Sequence, residues 1–115
     1  MKKIIHGDCL EVMKGMEDKS IDAIITDIPY GTTNCAWDIV IPFDLMWKQL
    51  NRIIKDNGAI TNEQEIILDF TSGSGTTAIA CENTNRGYYC IEKEKKYYDI
   101  SVQRVKDHVV QTELF

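Results

Sequence analysis

The segment IILDFTSGSGTTAIAC, residues 66–81, constrains the fold more than any other part of the chain. An apolar strand pattern runs directly into Gly73-x-Gly75-x-x-Ala78, which opens a helix pattern. The glycines let the backbone approach a ligand, Ala78 permits close packing of helix on strand, and the helix N-terminus offers free N–H groups. Thr76 and Thr77 follow the second glycine, where a Walker-type nucleotide loop has a lysine. The segment therefore predicts a strand–loop–helix unit that binds a nucleoside-bearing cofactor.

An acidic residue stands where such a cofactor needs a hydrogen-bond acceptor. Glu92 ends the next strand pattern, nineteen positions beyond Gly73. In dinucleotide-binding folds, an acidic side chain at about this spacing accepts hydrogen bonds from ribose hydroxyls. The alternative is a glycine-rich turn beside a solvated glutamate. The preceding strand and the following helix favour the cofactor site.

Strand and helix patterns alternate along the whole chain. Strands are predicted at residues 3–6, 21–26, 66–70 and 88–92, and helices at 9–16, 43–55, 75–83 and 95 to about 107. Residues 21–26 form a continuous apolar run, which is typical of a strand buried on both faces of a parallel sheet. Residues 56–58 are expected to end the second helix in the αL manner, and the tail from residue 111 is expected to be loose. The alternation predicts an α/β protein with an open, mostly parallel sheet.

Composition limits the classes of protein to which the chain can belong. Its 115 residues are 43% hydrophobic, which suffices for a single domain over residues 1–115. No run approaches the roughly 18 apolar residues of a membrane span, and the start MKKIIHGD becomes polar too early for a secretory signal. We therefore expect a cytoplasmic protein with no membrane partner. The net charge of −5 leaves no chain-wide positive field, so contact with nucleic acid must depend on a local patch.

The cysteines do not form a metal-binding or disulfide pattern. Cys9, Cys35, Cys81 and Cys90 show neither C-x-x-C pairs nor histidine spacing. We expect reduced thiols in or near the core, and no metal site.

Two motifs in a fixed order resemble a known enzyme family. TDIPYG follows the strand at 21–26 and LDFTSGSGTT follows a later strand, as in the amino-group DNA methyltransferases in which an Asp-Pro-Pro-Tyr motif precedes the cofactor loop. GDCLEVMKGM near the start and NRGYYCIEKEKKYYDISVQRV near the end also resemble this subclass. The resemblance implies a Rossmann-like methyltransferase fold, S-adenosylmethionine as cofactor and DNA as partner. The reaction implied is methylation of adenine N6 or cytosine N4.

The resemblance assigns the cofactor contacts residue by residue. Asp69 and the turn at 73–75 would hold the methionine end of S-adenosylmethionine, and Glu92 would take the ribose. Asp8 would lie near the adenine amino group, a role compatible with its alternative as a helix N-cap in a capping box with Glu11. The complete set of cofactor-binding residues implied is Asp8, Asp69, Phe70, Gly73, Ser74, Gly75, Thr76, Thr77 and Glu92.

The resemblance also assigns the chemistry to residues 27–30. An exocyclic amine is a poor nucleophile because its lone pair is delocalised into the ring, so acceptors must fix its two hydrogens. The Asp27 carboxylate and the Ile28 carbonyl would be those acceptors, although the family has a proline in place of Ile28. Pro29 would stiffen the turn, and Tyr30 would stack on a base flipped out of the duplex. By resemblance, an aspartate at position 27 favours adenine over cytosine.

A long segment of the family has no counterpart in this chain. The target-recognition region would fall between about residues 60 and 61, where NGAI runs straight into TNEQEIILDF. Either residues 57–65 are a plain loop, which gives four core strands in the order 3–6, 88–92, 66–70, 22–27, or a segment has been removed. Both alternatives place Asp27 beside Gly73. Both predict weak or non-specific DNA contact.

Three functions compete at this point. The first is a DNA adenine-N6 methyltransferase reduced to its cofactor-binding and catalytic core, with impaired activity in the short form. The second is an inactive remnant that binds cofactor or a partner, including a second copy of this chain. The third is a nicotinamide-dependent oxidoreductase that uses the same glycine loop.

Overall fold

Strands and helices alternate in the computed structural model, which describes residues 1–27, 41–56 and 61–113. The strands are β1 (Lys2–His6), β2 (Ala23–Ile24), β3 (Ile66–Asp69) and β4 (Gly87–Glu92). The helices are α1 (Cys9–Lys14), α2 (Phe43–Ile53), α3 (Thr76–Asn83) and α4 (Lys95–Glu113). In these described ranges, no helix combines the length and the apolar character that a membrane crossing requires.

The strands form one parallel sheet in the order β1-β4-β3-β2. This order confirms the predicted one, and the described residues form an α/β, Rossmann-like fold around a four-stranded parallel sheet. Because parallel strands point the same way, the residues that follow all four strand ends lie at one edge, here named the carboxyl edge. Ligands of open α/β sheets bind outside this edge.

Apolar side chains cover both faces of the sheet. On one face, Leu68 and Ile91 pack with Met13 of α1 and Leu50 of α2. On the other face, the residues that precede Leu68 and Ile91 in their strands belong to a second cluster, formed by Ala23, Ile67, Ala78, Cys81, Tyr88 and Cys90. Neighbouring strand residues point to opposite faces, so β3 and β4 are apolar at successive positions because helices cover both sides.

Three of the four cysteines are free thiols in this core. Cys9, Cys81 and Cys90 are buried and unpaired with one another, which confirms the expectation for them, while Cys35 lies outside the described residues. Burial raises the pKa of Cys9 to about 11 and that of Cys90 to about 12. These thiols therefore stay protonated near neutral pH and act as small apolar side chains.

The prediction of a long buried strand at residues 21–26 is wrong. β2 contains only Ala23 and Ile24, and the Ile25 side chain is 58% exposed. Among the named strands, β2 pairs with β3 alone, so it lies at the end of the strand order. On its other side, the only pairing within the described residues is a single parallel bridge between Ile21 and Ile54.

The end of α2 also differs from the prediction. The helix ends at Ile53, and Ile54 is extended, with φ −77° and ψ 141°. The Ile21 N–H donates to the Ile53 carbonyl and the Lys55 N–H donates to the Ile21 carbonyl, so strand-like pairing replaces the last helical turn. The expected αL stop therefore does not end this helix, and residues 57–60 lie outside the described part of the chain.

Both terminal helices differ in length from the prediction. α1 ends at Lys14 rather than at residue 16, because Gly15 caps it through its N–H. Asp8 is its N-cap, as predicted, but the Glu11 carboxylate accepts from Lys14 Nζ at 2.9 Å instead of completing a capping box. α4 continues to Glu113, so the expected loose tail is helical up to that residue.

A buried carboxylate joins β2 to two other segments. Asp22 is 7% exposed, and it accepts from Lys55 Nζ at 2.8 Å and from the Ile66 N–H at 2.7 Å. Desolvation raises the pKa of this carboxyl, but the two donors outweigh it and hold the pKa below its ordinary value. Folding is therefore stabilised by the ionised form.

We expect Asp22→Asn to lower the free energy of unfolding by about 1–3 kcal/mol near neutral pH, since the two donors bind different carboxylate oxygens and an amide replaces one of these with an NH₂ group. The folded-state pKa is depressed, so the wild-type advantage is present above about pH 4 and is lost as the pH falls through the folded-state pKa. Urea unfolding across this range measures the difference. Asp18→Asn removes an exposed partner of Arg52 and should cost under about 1 kcal/mol. A loss at Asp22 that does not depend on pH would contradict the ionic explanation.

Candidate functional site

Four acidic residues lie at the carboxyl edge. Asp8 follows β1, Asp27 follows β2, Asp69 ends β3 and Glu92 ends β4. All four were predicted as site residues. Ile28, Pro29 and Tyr30 lie outside the described residues. The edge therefore carries concentrated negative charge, which suits a cationic ligand better than an anionic one.

Asp69 connects the start of the glycine loop to the first turn of α3. It is 6% exposed, and its carboxylate accepts from the Thr71 N–H at 3.2 Å and from Thr77 Oγ1 at 2.6 Å. Burial raises the pKa of Asp69, the donors reduce that rise, and the nearby Asp27 adds to it. An added positive charge at this edge would stabilise the ionised form of Asp69.

Two threonine hydroxyls join the Asp27 segment to the same loop. Thr26 Oγ1 and Thr71 Oγ1 are 2.6 Å apart, and Thr71 Oγ1 donates to the Asp27 carbonyl at 3.0 Å. The Ile25 N–H donates to the Leu68 carbonyl just before this point. The main chain of Asp27 is therefore held against the loop, as the predicted sheet order requires. Sequence reasoning missed Thr71, and its only signal was the run of hydroxyl residues around the glycines.

The glycine loop has an open side and a closed side. Gly73 has φ +56°, and a Cβ at this position would meet nothing within 4 Å. Gly75 has φ +91°, and its Cβ would lie 2.7 Å from Ser101 Cβ of α4. Ser72 lies between β3 and these glycines, and its buried hydroxyl has no hydrogen-bond partner in the described part of the chain. The space beside Gly73 is where a ligand can approach the backbone.

Glu92 braces the loop and keeps capacity for a further hydrogen bond. Its Oε1 accepts from the Gly73 N–H at 2.9 Å, and its Oε2 accepts from the Glu94 N–H at 3.1 Å. Each carboxylate oxygen has two lone pairs. The half-buried side chain can therefore also accept from a ligand hydroxyl next to Gly73.

Asp8 has one oxygen committed to the protein. Its Oδ1 accepts from the N–H groups of Leu10 and Glu11 at 3.0 and 3.3 Å. Its Oδ2 accepts no hydrogen bond from the residues that the structure describes, and the side chain is exposed. The cap and a ligand contact are therefore geometrically compatible.

The remaining predicted contacts differ in their access to a ligand. Phe70 is 3% exposed and packs in the core, and the Thr77 hydroxyl is bound to Asp69. Thr76 opens α3 and is exposed. Ser74 accepts from Arg104 Nη1 through its carbonyl at 2.8 Å and through its hydroxyl at 3.1 Å. Sequence reasoning missed Arg104, because nothing in the polar helix pattern distinguishes it from its charged neighbours.

No cluster of three or more metal-ligating side chains is found among residues 1–27, 41–56 and 61–113. The groups that the described residues bring to the carboxyl edge include carboxylates, hydroxyls and backbone N–H groups. Such groups bind, orient and accept protons.

Comparison with protein families gives one match over more than half of the chain. The model of a DNA methylase family with N6 and N4 members matches residues 39–103. The matched part includes the glycine loop and Glu92, and it begins beyond Asp27.

Curated relatives match over shorter stretches. The type II methyltransferase M.HindIII of Haemophilus influenzae is 41% identical over 46 residues, which is 40% of this chain and 15% of the relative. The type II methyltransferase M.BglII of Bacillus subtilis is 36% identical over 66 residues, which is 57% of this chain and 18% of the relative. These matches thus span less than a fifth of each relative's length.

Solved structures show a similar fold. The crystal structure of an M1.HpyAVI–SAM complex aligns with a TM-score of 0.59 and 21% identity, over 91% of this chain and 99% of that chain. A second crystal structure, of M1.HpyAVI, aligns with a TM-score of 0.56 and 18% identity, over 92% of this chain and 99% of that chain. At this level of identity, the likeness shows the fold.

Proposed function

Because the chain belongs to the N6/N4 DNA methylase family, we propose that it is the cofactor-binding and catalytic core of a DNA methyltransferase. The reaction is transfer of a methyl group from S-adenosylmethionine to an exocyclic amine in DNA, with adenine N6 as the favoured target. The observation that carries the proposal is the contact between the Asp27 segment and the glycine loop through Thr71. A methyl acceptor held at Asp27 and a methyl donor held at Gly73 would then be neighbours.

The acidic carboxyl edge suits the cationic groups of S-adenosylmethionine. This cofactor supplies an activated methyl group on a sulfonium cation and also carries an ammonium group. Asp69 and Asp27 bring negative charge to the loop, and the space beside Gly73 admits a ligand close to the backbone. Glu92 has lone pairs for ribose hydroxyls, and Asp8 Oδ2 is available for an amino group. Acceptors would therefore be available for the cofactor's cationic groups, its ribose hydroxyls and its adenine amino group.

Charge also separates this proposal from a nicotinamide-dependent oxidoreductase. A nicotinamide dinucleotide carries an anionic pyrophosphate that needs cations or several free N–H groups. At the loop, the Gly73 N–H is already bound to Glu92 and the Gly75 N–H is bound to the Ser72 carbonyl at 3.1 Å. Arg104 is bound to Ser74 on the closed side. A pyrophosphate would therefore lie beside carboxylates at a loop where two N–H groups are already committed.

Asp27 is proposed to orient the target amine. Its side chain is exposed, so it can accept a hydrogen from an amine presented at the edge, and Thr71 holds its main chain in place. With the second amine hydrogen accepted by the Ile28 carbonyl, the lone pair would point toward the methyl group. Pro29 would limit motion of this turn, and Tyr30 would stack on the flipped base. Catalysis of this kind consists mainly of positioning.

Recognition of a DNA sequence is proposed to lie outside these residues. The net charge of −5 disfavours broad phosphate contact, so binding of DNA by this chain should be weak and non-specific. The chain as a whole would form one methyltransferase-like domain over residues 1–115. Its target-recognition region would be absent between about residues 60 and 61.

A non-catalytic role in binding cofactor or a partner is the second candidate. Exposed apolar side chains on α2 and beside β2 favour it, since Ile25, Phe43, Leu45 and Trp47 are each more than half exposed. A second copy of the chain is one such partner. Light scattering at increasing concentration would show a rise in mass if it associates.

Transfer of labelled methyl groups to mixed-sequence DNA tests the proposal. We expect incorporation as N6-methyladenine above the level of a heat-denatured control. Cofactor binding without incorporation would support the second candidate. A chain that binds no S-adenosylmethionine would contradict both the enzyme and the cofactor-binding remnant.

A further inference from the structure

The last helix packs directly against the closed side of the glycine loop. Ser101 is fully buried, and its Cβ lies where a side chain on Gly75 would have to be, at 2.7 Å from the position of the added Cβ. Arg104 lies three positions further along α4, so it shares this face of the helix. α4 thus contacts two adjacent loop residues, Ser74 and Gly75, while the Gly73 side of the loop stays open.

The Arg104 guanidinium fixes one peptide group of the loop. Nη1 donates to the Ser74 carbonyl at 2.8 Å, and the N–H at the other end of that peptide, on Gly75, donates to the Ser72 carbonyl at 3.1 Å. The same Nη1 contacts Ser74 Oγ at 3.1 Å. The orientation of the Ser74–Gly75 peptide is therefore determined from both sides.

Such a restraint matters because of the loop's composition. Gly73 and Gly75 both have positive φ, and glycines lose more conformational freedom on ordering than any other residue. A loop that must become ordered on binding a ligand weakens that binding, whereas a loop that is already ordered does not. Arg104 orders the part of the loop next to the open space without entering that space.

We infer that Arg104 is a positioning residue for the cofactor loop, which raises affinity for a nucleoside sulfonium cofactor by holding the Ser74–Gly75 peptide before the ligand binds. The inference rests on the proposed function for the identity of the ligand. It assigns to α4 a role in cofactor affinity that is separate from its packing in the core. Arg104 is exposed, so its loss should leave the fold intact.

The sign of the effect distinguishes positioning from charge. S-adenosylmethionine is a cation at its sulfur, so removal of a nearby positive charge would by itself strengthen binding. Loss of the loop restraint would weaken it. A fall in affinity on removal of Arg104 therefore cannot come from relief of repulsion at the sulfonium, and exchange of the Gly75 amide hydrogen separates loss of the loop restraint from a lost attraction to the ligand's carboxylate.

Calorimetric titration of the whole chain with S-adenosylmethionine and with its uncharged-sulfur product, S-adenosylhomocysteine, tests the inference. Arg104→Ala should weaken both about five- to tenfold. Arg104→Lys, which keeps one donor, should recover part of the loss. Lys106 lies on the same helix, and its side chain makes no hydrogen bond within the described residues. The affinity of Lys106→Ala for both ligands should therefore stay within about twofold of wild type.

Two further measurements separate positioning from a general structural defect. The melting temperature of Arg104→Ala should match that of Lys106→Ala, and the Gly75 amide should exchange its hydrogen faster in Arg104→Ala alone. If Arg104→Ala binds both ligands with wild-type affinity, or if Lys106→Ala loses as much affinity as Arg104→Ala, this inference is overturned and the proposed function stands. A wild-type chain that binds neither ligand would overturn both.

Discussion

Replacing Gly75 with alanine should destabilise the fold by about 2–5 kcal/mol, a large part of the stability of a domain of this size. The backbone at Gly75 has φ +91°, which an L side chain rarely adopts. The added Cβ would also lie 2.7 Å from Ser101 Cβ and 3.1 Å from Ser101 Cα. Backbone strain and a clash with α4 therefore act together, and neither can be relieved by rotating a flexible side chain. Urea unfolding followed by circular dichroism measures the loss.

Gly73→Ala is the matched control for that substitution. Its φ of +56° is less strained for alanine, and the added Cβ meets nothing within 4 Å, so the cost in stability should be about 1 kcal/mol. Its methyl group would instead occupy the proposed ligand space, so affinity for S-adenosylmethionine should fall by at least about tenfold. Equal losses of stability in the two variants would contradict the distinction between the open and closed sides.

A second substitution checks the origin of the Gly75 effect. Ser101→Gly removes the Cβ that the Gly75→Ala methyl would strike. The double variant should therefore be more stable than the sum of the two single losses predicts. Strict additivity would show that the clash with the Ser101 Cβ does not contribute to the loss.

Asp27→Asn should lower methyl transfer by about 10²- to 10⁴-fold, while cofactor affinity should fall by less than about tenfold through the loss of one negative charge at the edge. An amide at this position offers one carbonyl in place of a carboxylate, so it holds an amine hydrogen less strongly and carries no charge. Its main chain remains bound to Thr71, because that bond uses the Asp27 carbonyl rather than the side chain. Initial rates with labelled cofactor and mixed-sequence DNA measure the change.

Glu63→Gln provides the matched control for Asp27. Glu63 is an exposed carboxylate in the turn before β3, at the opposite edge of the sheet. Its loss changes the net charge by the same amount and should leave transfer and binding unchanged. Transfer that survives in Asp27→Asn at the wild-type rate would exclude Asp27 as the group that holds the amine.

The sequence predicted the site most reliably where backbone geometry depends on residue type. The strand order places Asp27 beside the glycine loop, as expected, and Gly73 and Gly75 are found to adopt positive φ in that loop. These features follow from local rules, because only glycine adopts such backbone readily and parallel strands align their ends. The local pattern also predicted the number of strands and the alternation with helices.

The sequence did not predict features that depend on contacts between distant residues. Arg104 and Ser74 are thirty positions apart, and Thr71 and Asp27 are forty-four apart, so neither bond leaves a local pattern. The end of α2 was missed for the same reason, since pairing with Ile21 competes with the last helical turn. The buried Asp22 was also missed, because its two donors come from other segments.

One calorimetric titration tests the central claim most directly. If this chain is the cofactor-binding core of an N6/N4 DNA methylase, S-adenosylmethionine should bind saturably at one site, and a nicotinamide dinucleotide at the same concentration should give no binding heat. Under the same conditions, the Gly73→Ala variant should give a much smaller heat of S-adenosylmethionine binding, which would locate the site at the glycine loop. Binding of the nicotinamide dinucleotide in place of S-adenosylmethionine, or binding of neither, would contradict the account.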